Sequence, residues 1–398
     1  MNILDLSYTP EQEAYREKVR NWLHENLPEG WGTPRFKLPE DELERGKFLN
    51  ELDKKIYEGG FLGISWPKEY GGQGLTLVEE IIYGEEAGKL DVPDGPNVLG
   101  RLLLGPTLLQ FGTEEQKKRY IPPLLRCDEI WCQGFSEPNA GSDLASLQTK
   151  AVLDGDEWVI NGQKVWTSLA HHADWCFLLA RTDQDAPKHK GITFFLVPMD
   201  NPGVTVRPLV QLNKSREFNE VFFDNVRIPK ENVVGGVNNG WQVAMGTLSF
   251  ERGTLSPGQL IRFQNEFNVL AKVAGDLRTS DATLVKDNRY YRQKLAEIYT
   301  EIRIMHYHSL KSISQRLNEG KLGPEASLQK LFYTTTRVKL GELGIEILAE
   351  EAPYWGEESV GRGKMQEVYF DSRGATIYAG STQIQKNIIA ERILGMPK

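Results

Sequence analysis

Cysteine is scarce: the 398-residue chain holds three, Cys127, Cys132 and Cys176. An odd count, at spacings that match neither a zinc nor a redox motif, excludes a disulfide framework and predicts buried thiols in a reducing compartment. No stretch approaches about 18 consecutive apolar residues, and the N-terminal MNILDLSYTPEQ has no basic region leading into an apolar run. Neither a membrane span nor a leader is expected, and the expected compartment is the cytoplasm. Positive charge is not in excess: 47 Lys and Arg face 55 Asp and Glu, a formal net charge of −8. That balance argues against nucleic acid as the main partner, because phosphate neutralisation needs clustered cations. Repeats and low-complexity tracts are missing too.

Several chemistries are absent by pattern. The chain has no GxGxxG, no GxxxxGK followed by Ser or Thr, no GxSxG and no HExxH. YGGQGL at 70–75 is glycine-rich but follows no strand, so it reads as a loop between helices. His171 and His172 have no Cys or acidic residues at ligand spacing, and His306 and His308 stand two apart on a helix and so face different ways. No metal site is expected.

What is present is an ordinary globular composition, 40% apolar and 26% charged, on a chain long enough for two or three domains. Thr9, Pro10 and Gln12 form a helix start, as N-cap, first helical residue and capping-box partner, ahead of Tyr15, Val19, Trp22 and Leu23 at helical spacing. The pattern stays helical to about residue 130, broken at SWPKEYGG, DVPDGPN and FGT. Near 131 the period falls to two. EWVINGQKVW carries Asn161-Gly162 between two β-rich runs, which predicts a hairpin, and ADWCFLLART, GITFFLVP, VTVRPLV and EFNEVFFDNV follow. After GGVNNG, long helical patterns return over 285–318 and 325–350, and a last helix runs from Thr382 to Leu394. The expected fold is therefore α+β, with a helical domain at 1–130, a central antiparallel β domain at 131–235 and a helical domain at 236–398.

Three motifs stand on those elements in order. QGFSEPNAGSDLASLQTKA, then WVINGQKVWTS, then the C-terminal STQIQKNIIAERILG closely resemble the acyl-CoA dehydrogenase family, and the resemblance covers nearly the whole chain. It implies a C-terminal four-helix-bundle-like domain, non-covalent FAD, an acyl-CoA substrate, an electron-transferring flavoprotein as acceptor, and a homotetramer. Backbone and hydroxyl groups around Gln133, Phe135 and Ser136 would grip the flavin ring, Trp166, Thr167 and Ser168 would close its other side, and Ser381 and Gln383 would add cofactor contacts. Ser142 would meet the CoA phosphates, and 94–105 would line the acyl pocket. An Arg in a long helix reaches a neighbour's flavin diphosphate in this family, and counting back from KLAEI places Arg278 there, with Asp281 and Arg289 at its usual partners' positions. A second departure is the stretch 346–352. Family members carry a glycine-rich turn there, whereas this chain reads EILAEEA, so that Glu350 and Glu351 either point away or weaken cofactor binding.

Removing hydrogens from adjacent carbons of a thioester needs a base at Cα, an acceptor facing Cβ and donors at the carbonyl. Many members place a glutamate before the glycine of the C-terminal turn, where this chain has Ala379 before Gly380. Others place it directly before an arginine on the first C-terminal helix, and Glu251-Arg252 fits that arrangement. Leu248 and Leu255 share its helix face, which predicts a raised carboxyl pKa. Arg252 would meet CoA phosphate, and the Ala379 N–H would donate to the thioester oxygen. Two alternatives keep the fold: a subunit of a heteromeric dehydrogenase completed by a partner chain, and a flavin oxidase or monooxygenase.

Overall fold

A computed structural model describes residues 8–252, 257–319 and 323–397, with side chains described for 8–250, 258–317 and 323–397. The N-terminal segment forms α1 (Pro10–Asn26), α2 (Glu42–Glu58), α3 (Leu77–Lys89), α4 (Gly105–Phe111) and α5 (Glu114–Leu125). The predicted start of α1 is observed: Gln12 N donates to Thr9 Oγ1 at 3.3 Å and Thr9 N to Gln12 Oε1 at 2.9 Å. The FGT break works the same way, since Thr113 and Gln116 form a reciprocal capping box at the head of α5. A five-residue π turn, Gly100–Leu104, leads into α4.

The sheet contains β1 (Trp131–Gly134), β2 (Lys150–Asp154), β3 (Glu157–Ser168), β4 (Trp175–Arg181), β5 (Ile192–Pro198), β6 (Val204–Leu209), β7 (Phe218–Pro229) and β8 (Val233–Val234). Its order is β6-β7-β3-β2-β4-β5-β8, with β1 paired to β4. Most pairings are antiparallel, but β1–β4 and β2–β4 are parallel, so the sheet is mixed. The hairpin between β2 and β3 intervenes in sequence between β1 and β4, and supplies the crossover that a parallel pair requires.

The hairpin expected at Asn161-Gly162 is not there. The chain reverses at Gly155, whose φ is +64°, after the Asp154–Glu157 pair, and β3 runs straight through Asn161 and Gly162. The register against β7 slips between Ile160 and Gly162, and a Cβ on Gly162 would come within 2.5 Å of Thr149 Oγ1. This glycine serves a bulge and a close approach rather than a turn.

The C-terminal segment holds α6 (Gly240–Arg252), α7 (Pro257–Asp276), α8 (Arg289–Glu319), α9 (Ala326–Leu348), α10 (Lys364–Ala375) and α11 (Thr382–Ile388), the last continued by a π turn, Ile389–Ile393. The chain divides into two compact units. One comprises residues 26–80 and 93–254, and the other residues 1–25, 81–92 and 255–398. The first is built on two cores, a helix–sheet cluster around Trp131, Phe177 and Phe194 and a sheet cluster around Trp158, Phe195 and Val226. In the second, Phe263, Ile302, Leu340 and Val368 close a bundle of α7 to α10. Cys127, Cys132 and Cys176 are all free and buried, as expected. Among the described residues no helix is long and apolar enough to cross a membrane, and no group of three His, Cys, Asp or Glu is placed to hold a metal.

Candidate active site

Strand β1 ends at Gly134, where Cys176 Sγ and Leu178 Cδ1 stand 2.8 Å from where a Cβ would be, so that a larger residue would not fit. Phe135 follows, buried edge-on to Phe177 and Phe194 at 5.8 and 6.0 Å. Its ring belongs to the core, so only its backbone is available to a ligand. Gln133 and Ser136 are half-buried, and Ser136 O accepts from Val165 N at 3.0 Å, tying the start of SEPNAGSD to β3.

A buried ion pair, not anticipated from sequence, holds this junction. Lys164 Nζ donates to Glu137 Oε1 at 2.8 Å and to Phe135 O at 3.0 Å, while Glu137 also accepts from Gln148 N and Thr149 N at 2.7 and 2.9 Å. Burial pushes the lysine's pKa down against the pull of Glu137. Burial also opposes ionisation of Glu137, but the Lys164 charge and the donated hydrogen bonds outweigh it and leave that carboxyl below its ordinary range. One signal was available: Lys164 falls on the inward beat of β3, in step with Trp158 and Ile160, both buried. A charge on that beat needs a partner.

Beyond Lys164 the β3–β7 register slips again, up to Thr167. Within this bulge Trp166 takes a φ of +59°, and its indole is 58% exposed, touching Phe218 edge-on at 6.0 Å. The Thr167 hydroxyl beside it is buried without a hydrogen-bond partner among the described residues, and Ser168 closes the strand half-buried. The indole offers a flat apolar face and the hydroxyl a spare hydrogen bond, so these residues fit a planar, heteroatom-rich ring such as a flavin. Ser142 lies exposed in the loop after Ala140, next to Asp143, which accepts from Lys188 and Ser146.

Glu251 and Arg252 are the last two residues of α6. Their side chains, and Leu255, lie outside the described residues. Leu248, one turn earlier, packs against the helix–sheet core. In the C-terminal turn, Ala379 and Gly380 have φ of +53° and +85°. Gln385 Nε2 donates to both carbonyls at 3.0 and 3.3 Å, and Lys330 Nζ to that of Gly380 at 2.7 Å. The Ala379 N–H has no acceptor among the described residues, so it is free to donate. Ser381 caps α11, accepting from Ile384 N at 3.4 Å, and Gln383 is exposed.

One expectation changes. Arg278 is not in a helix: α7 ends at Asp276, and Arg278 lies exposed in the following loop, where Nη1 donates to Ala282 O at 2.7 Å. That loop is closed locally by the Arg278–Leu284 bridge and by Asp281, which accepts from Thr279 and Thr283. At the AEEA stretch, Glu346, Glu350 and Glu351 are exposed. Ala349 holds φ +48° and ψ −112°, a backbone state suited to glycine.

A bulged sheet that offers an aromatic face and a spare hydroxyl, in a chain with helical segments before and after it, makes an α+β protein suited to a flat cofactor. Comparison with known proteins names the group. Residues 9–128, 132–226 and 238–394 match, in order, the N-terminal, middle and C-terminal domains of acyl-CoA dehydrogenase. Over 97% of its length the chain is 40% identical to acyl-CoA dehydrogenase IpdE1 of Mycobacterium tuberculosis, covering 98% of that protein. Among solved structures it is similar to the ChsE4-ChsE5 complex of Mycobacterium tuberculosis, at 29% identity and a TM-score of 0.84 over 99% of this chain and all of that one. It is also similar to the Tcur3481-Tcur3483 steroid ACAD, at 31% identity and a TM-score of 0.81 over 99% and 100%. The chain belongs to the acyl-CoA dehydrogenase family, a family of flavoproteins, and is an oxidoreductase acting on acyl-CoA.

Proposed function

We propose that the chain converts an acyl-CoA thioester to the trans-2-enoyl-CoA, with Glu251 as the Cα proton acceptor and FAD as the hydride acceptor. The observation that supports this most is the run of three matched family domains, within which Glu251 directly precedes Arg252 at the end of α6. Bound FAD supplies the acceptor for the hydride that leaves Cβ. Backbone and hydroxyl groups of Gln133, Phe135, Ser136, Thr167 and Ser168 bind the ring edge, and Trp166 covers one face. Arg278, Ser381 and Gln383 hold the remainder of the cofactor, Arg278 from a neighbouring subunit. The Ala379 N–H, beside Gly380, donates to the thioester oxygen, which stabilises the charge that develops as Glu251 takes the proton. Ser142 and Arg252 meet the CoA phosphates. An electron-transferring flavoprotein receives the electrons.

The substrate class is a bulky, steroid-derived acyl group, by similarity to the relative described as a steroid ACAD. Assembly has two readings. A homotetramer is the family arrangement. A heteromer is favoured by two similar structures described by paired chain names and by the substituted glycine turn at Ala349. Purification alone and with co-expressed genomic neighbours separates them, and anaerobic titration with a panel of acyl-CoA thioesters, watching the flavin bleach, tests the activity. Bleaching by at least one thioester, with slow oxygen consumption, is expected. A preparation that stays colourless with added FAD and every neighbour contradicts the proposal, and rapid oxygen consumption assigns an oxidase instead.

A further inference from the structure

The turn between α10 and α11 is strained. Ala379 and Gly380 take left-handed φ in succession, +53° and +85°, a state that a residue with a Cβ disfavours. Such backbone persists where its surroundings over-determine it. The base of the turn is closed by Thr382 N, which donates to Thr376 O at 2.9 Å. Its tip is held by side chains.

Lys330 of α9 and Gln385 of α11 are both buried, and the two helices pack on each other within one unit of the chain. A buried ammonium is costly unless it is hydrogen-bonded. One bond of Lys330 Nζ runs to Gly380 O at 2.7 Å, the short distance of a charge-assisted contact. Gln385 Nε2 donates to Ala379 O at 3.0 Å and to Gly380 O at 3.3 Å. Glycine permits that approach, since a Cβ on Gly380 would come within 2.4 Å of Gln385 Nε2. Both carbonyls of the strained pair are thus fixed from two helices, and a flip of either would strip a buried donor of its acceptor. With its φ and its carbonyl held, Ala379 keeps its N–H in one direction, and that N–H has no acceptor among the described residues.

We propose that Lys330 and Gln385 are positioning residues for the dehydrogenation: by clamping the Ala379 and Gly380 carbonyls they aim the Ala379 N–H at the thioester oxygen. The inference rests on the proposed function, in which that N–H stabilises the charge developing on the oxygen. A donor fixed in advance needs no reorganisation when the charge appears. Both side chains act through the backbone, at one remove from the thioester.

The test uses full-length protein loaded with FAD, the thioester of the panel that bleaches the wild-type flavin fastest, and the trans-2-enoyl-CoA made from it with a carbon-13 carbonyl. Infrared absorption of the labelled carbonyl reports the aim of the N–H, because a hydrogen bond to the oxygen weakens the C=O bond and lowers its frequency. The bound enoyl thioester should absorb at lower frequency in the wild type than in Lys330→Met. That variant should bleach about 10²-fold more slowly at saturating thioester, the penalty for misplacing a group by about 1 Å. Its affinity for the enoyl thioester should fall by less than about tenfold, the share of one neutral hydrogen bond. Gln385→Leu, which leaves Gly380 bonded to Lys330, should change all three readings in the same direction and by less. Variants that lose stability in urea yet keep the wild-type carbonyl frequency and bleaching rate have a structural role alone, and the assignment falls. It falls equally if affinity and rate drop in proportion while the carbonyl frequency stays put. Should Lys330→Met not fold, Gln385→Leu decides by the same readings. If no thioester of the panel bleaches the wild-type flavin, the proposed function falls and takes this inference with it.

Discussion

His172 is neutral in the fold for a simple reason: burial, the adjacent His171 ring and the Arg45 charge all disfavour its imidazolium. The unfolded chain takes up that proton near 6.5, whereas the folded chain refuses it until about 4. Stability is therefore lost as pH falls from about 6.5 toward 4 and regained as it rises. Asp53 acts in the opposite sense: burial raises its carboxyl to about 6 against the lowering effect of Arg101, so the folded state holds a proton that the unfolded state releases between about 4 and 6. The wild-type profile contains both slopes, and a variant is needed to separate them. Urea unfolding at pH 4.5, 5.5 and 7 should show wild-type stability improving relative to His172→Gln as pH rises across that window. Parallel profiles would mean that His172 titrates normally. At this scale the sequence was partly readable. Trp166 and Thr167 stood in a recognisable motif, and the structure adds the bulge that exposes one and buries the other. Lys164 and Glu137 passed unnoticed, because 27 residues separate two charges that meet only when β3 returns beside β1.

Helix α1 is held in its unit by a knot of charge. Arg16, buried under the Tyr8 ring at 4.5 Å, bonds Glu85 at 2.7 Å and Glu86 at 2.9 Å, and Glu86 also receives Arg20 and Lys89. Although burial opposes ionisation, those bonds hold the Glu86 carboxyl down to about 2, so its contribution is present above pH 4.5 and disappears as pH falls toward 2. Arg16→Met should cost about 3 kcal/mol in urea unfolding at pH 7, the low end for breaking a buried pair, since Glu86 keeps two other cations. A cost near zero would make the knot ornamental to stability. The turn after α9 predicts a gain. Ala349→Gly relieves a positive φ and should stabilise by about 1 kcal/mol, read as a raised Tm. Helix starts were legible because capping is local: Thr9, Pro10 and Gln12 settle α1 among themselves. Asn161-Gly162 misled because the letters of a turn and of a bulge coincide, and only the Thr149 backbone, packed against the glycine, distinguishes them. The parallel partners of β4 were equally invisible, since pairing across a crossover leaves no local signature.

The whole chain was recognisable because three motifs fall in order on helix, sheet and helix, and the matched domains follow the same order. Acyl-group class and assembly are less legible, because both depend on surfaces formed by residues far apart in sequence. If the heteromeric reading holds, the chain expressed alone should retain FAD poorly, and a co-expressed partner should raise the flavin content severalfold, measured as the ratio of absorbance at 450 and 280 nm. Full flavin occupancy in a lone tetramer would favour the homomer. The central claim concerns Glu251, and rapid-mixing anaerobic reduction tests it most directly. Glu251→Gln preserves size and polarity while removing basicity, so the protein should still bind FAD and acyl-CoA. With the best substrate its flavin should bleach about 10² to 10⁴ times more slowly than the wild type. Bleaching at the wild-type rate would place the base elsewhere and contradict the assignment.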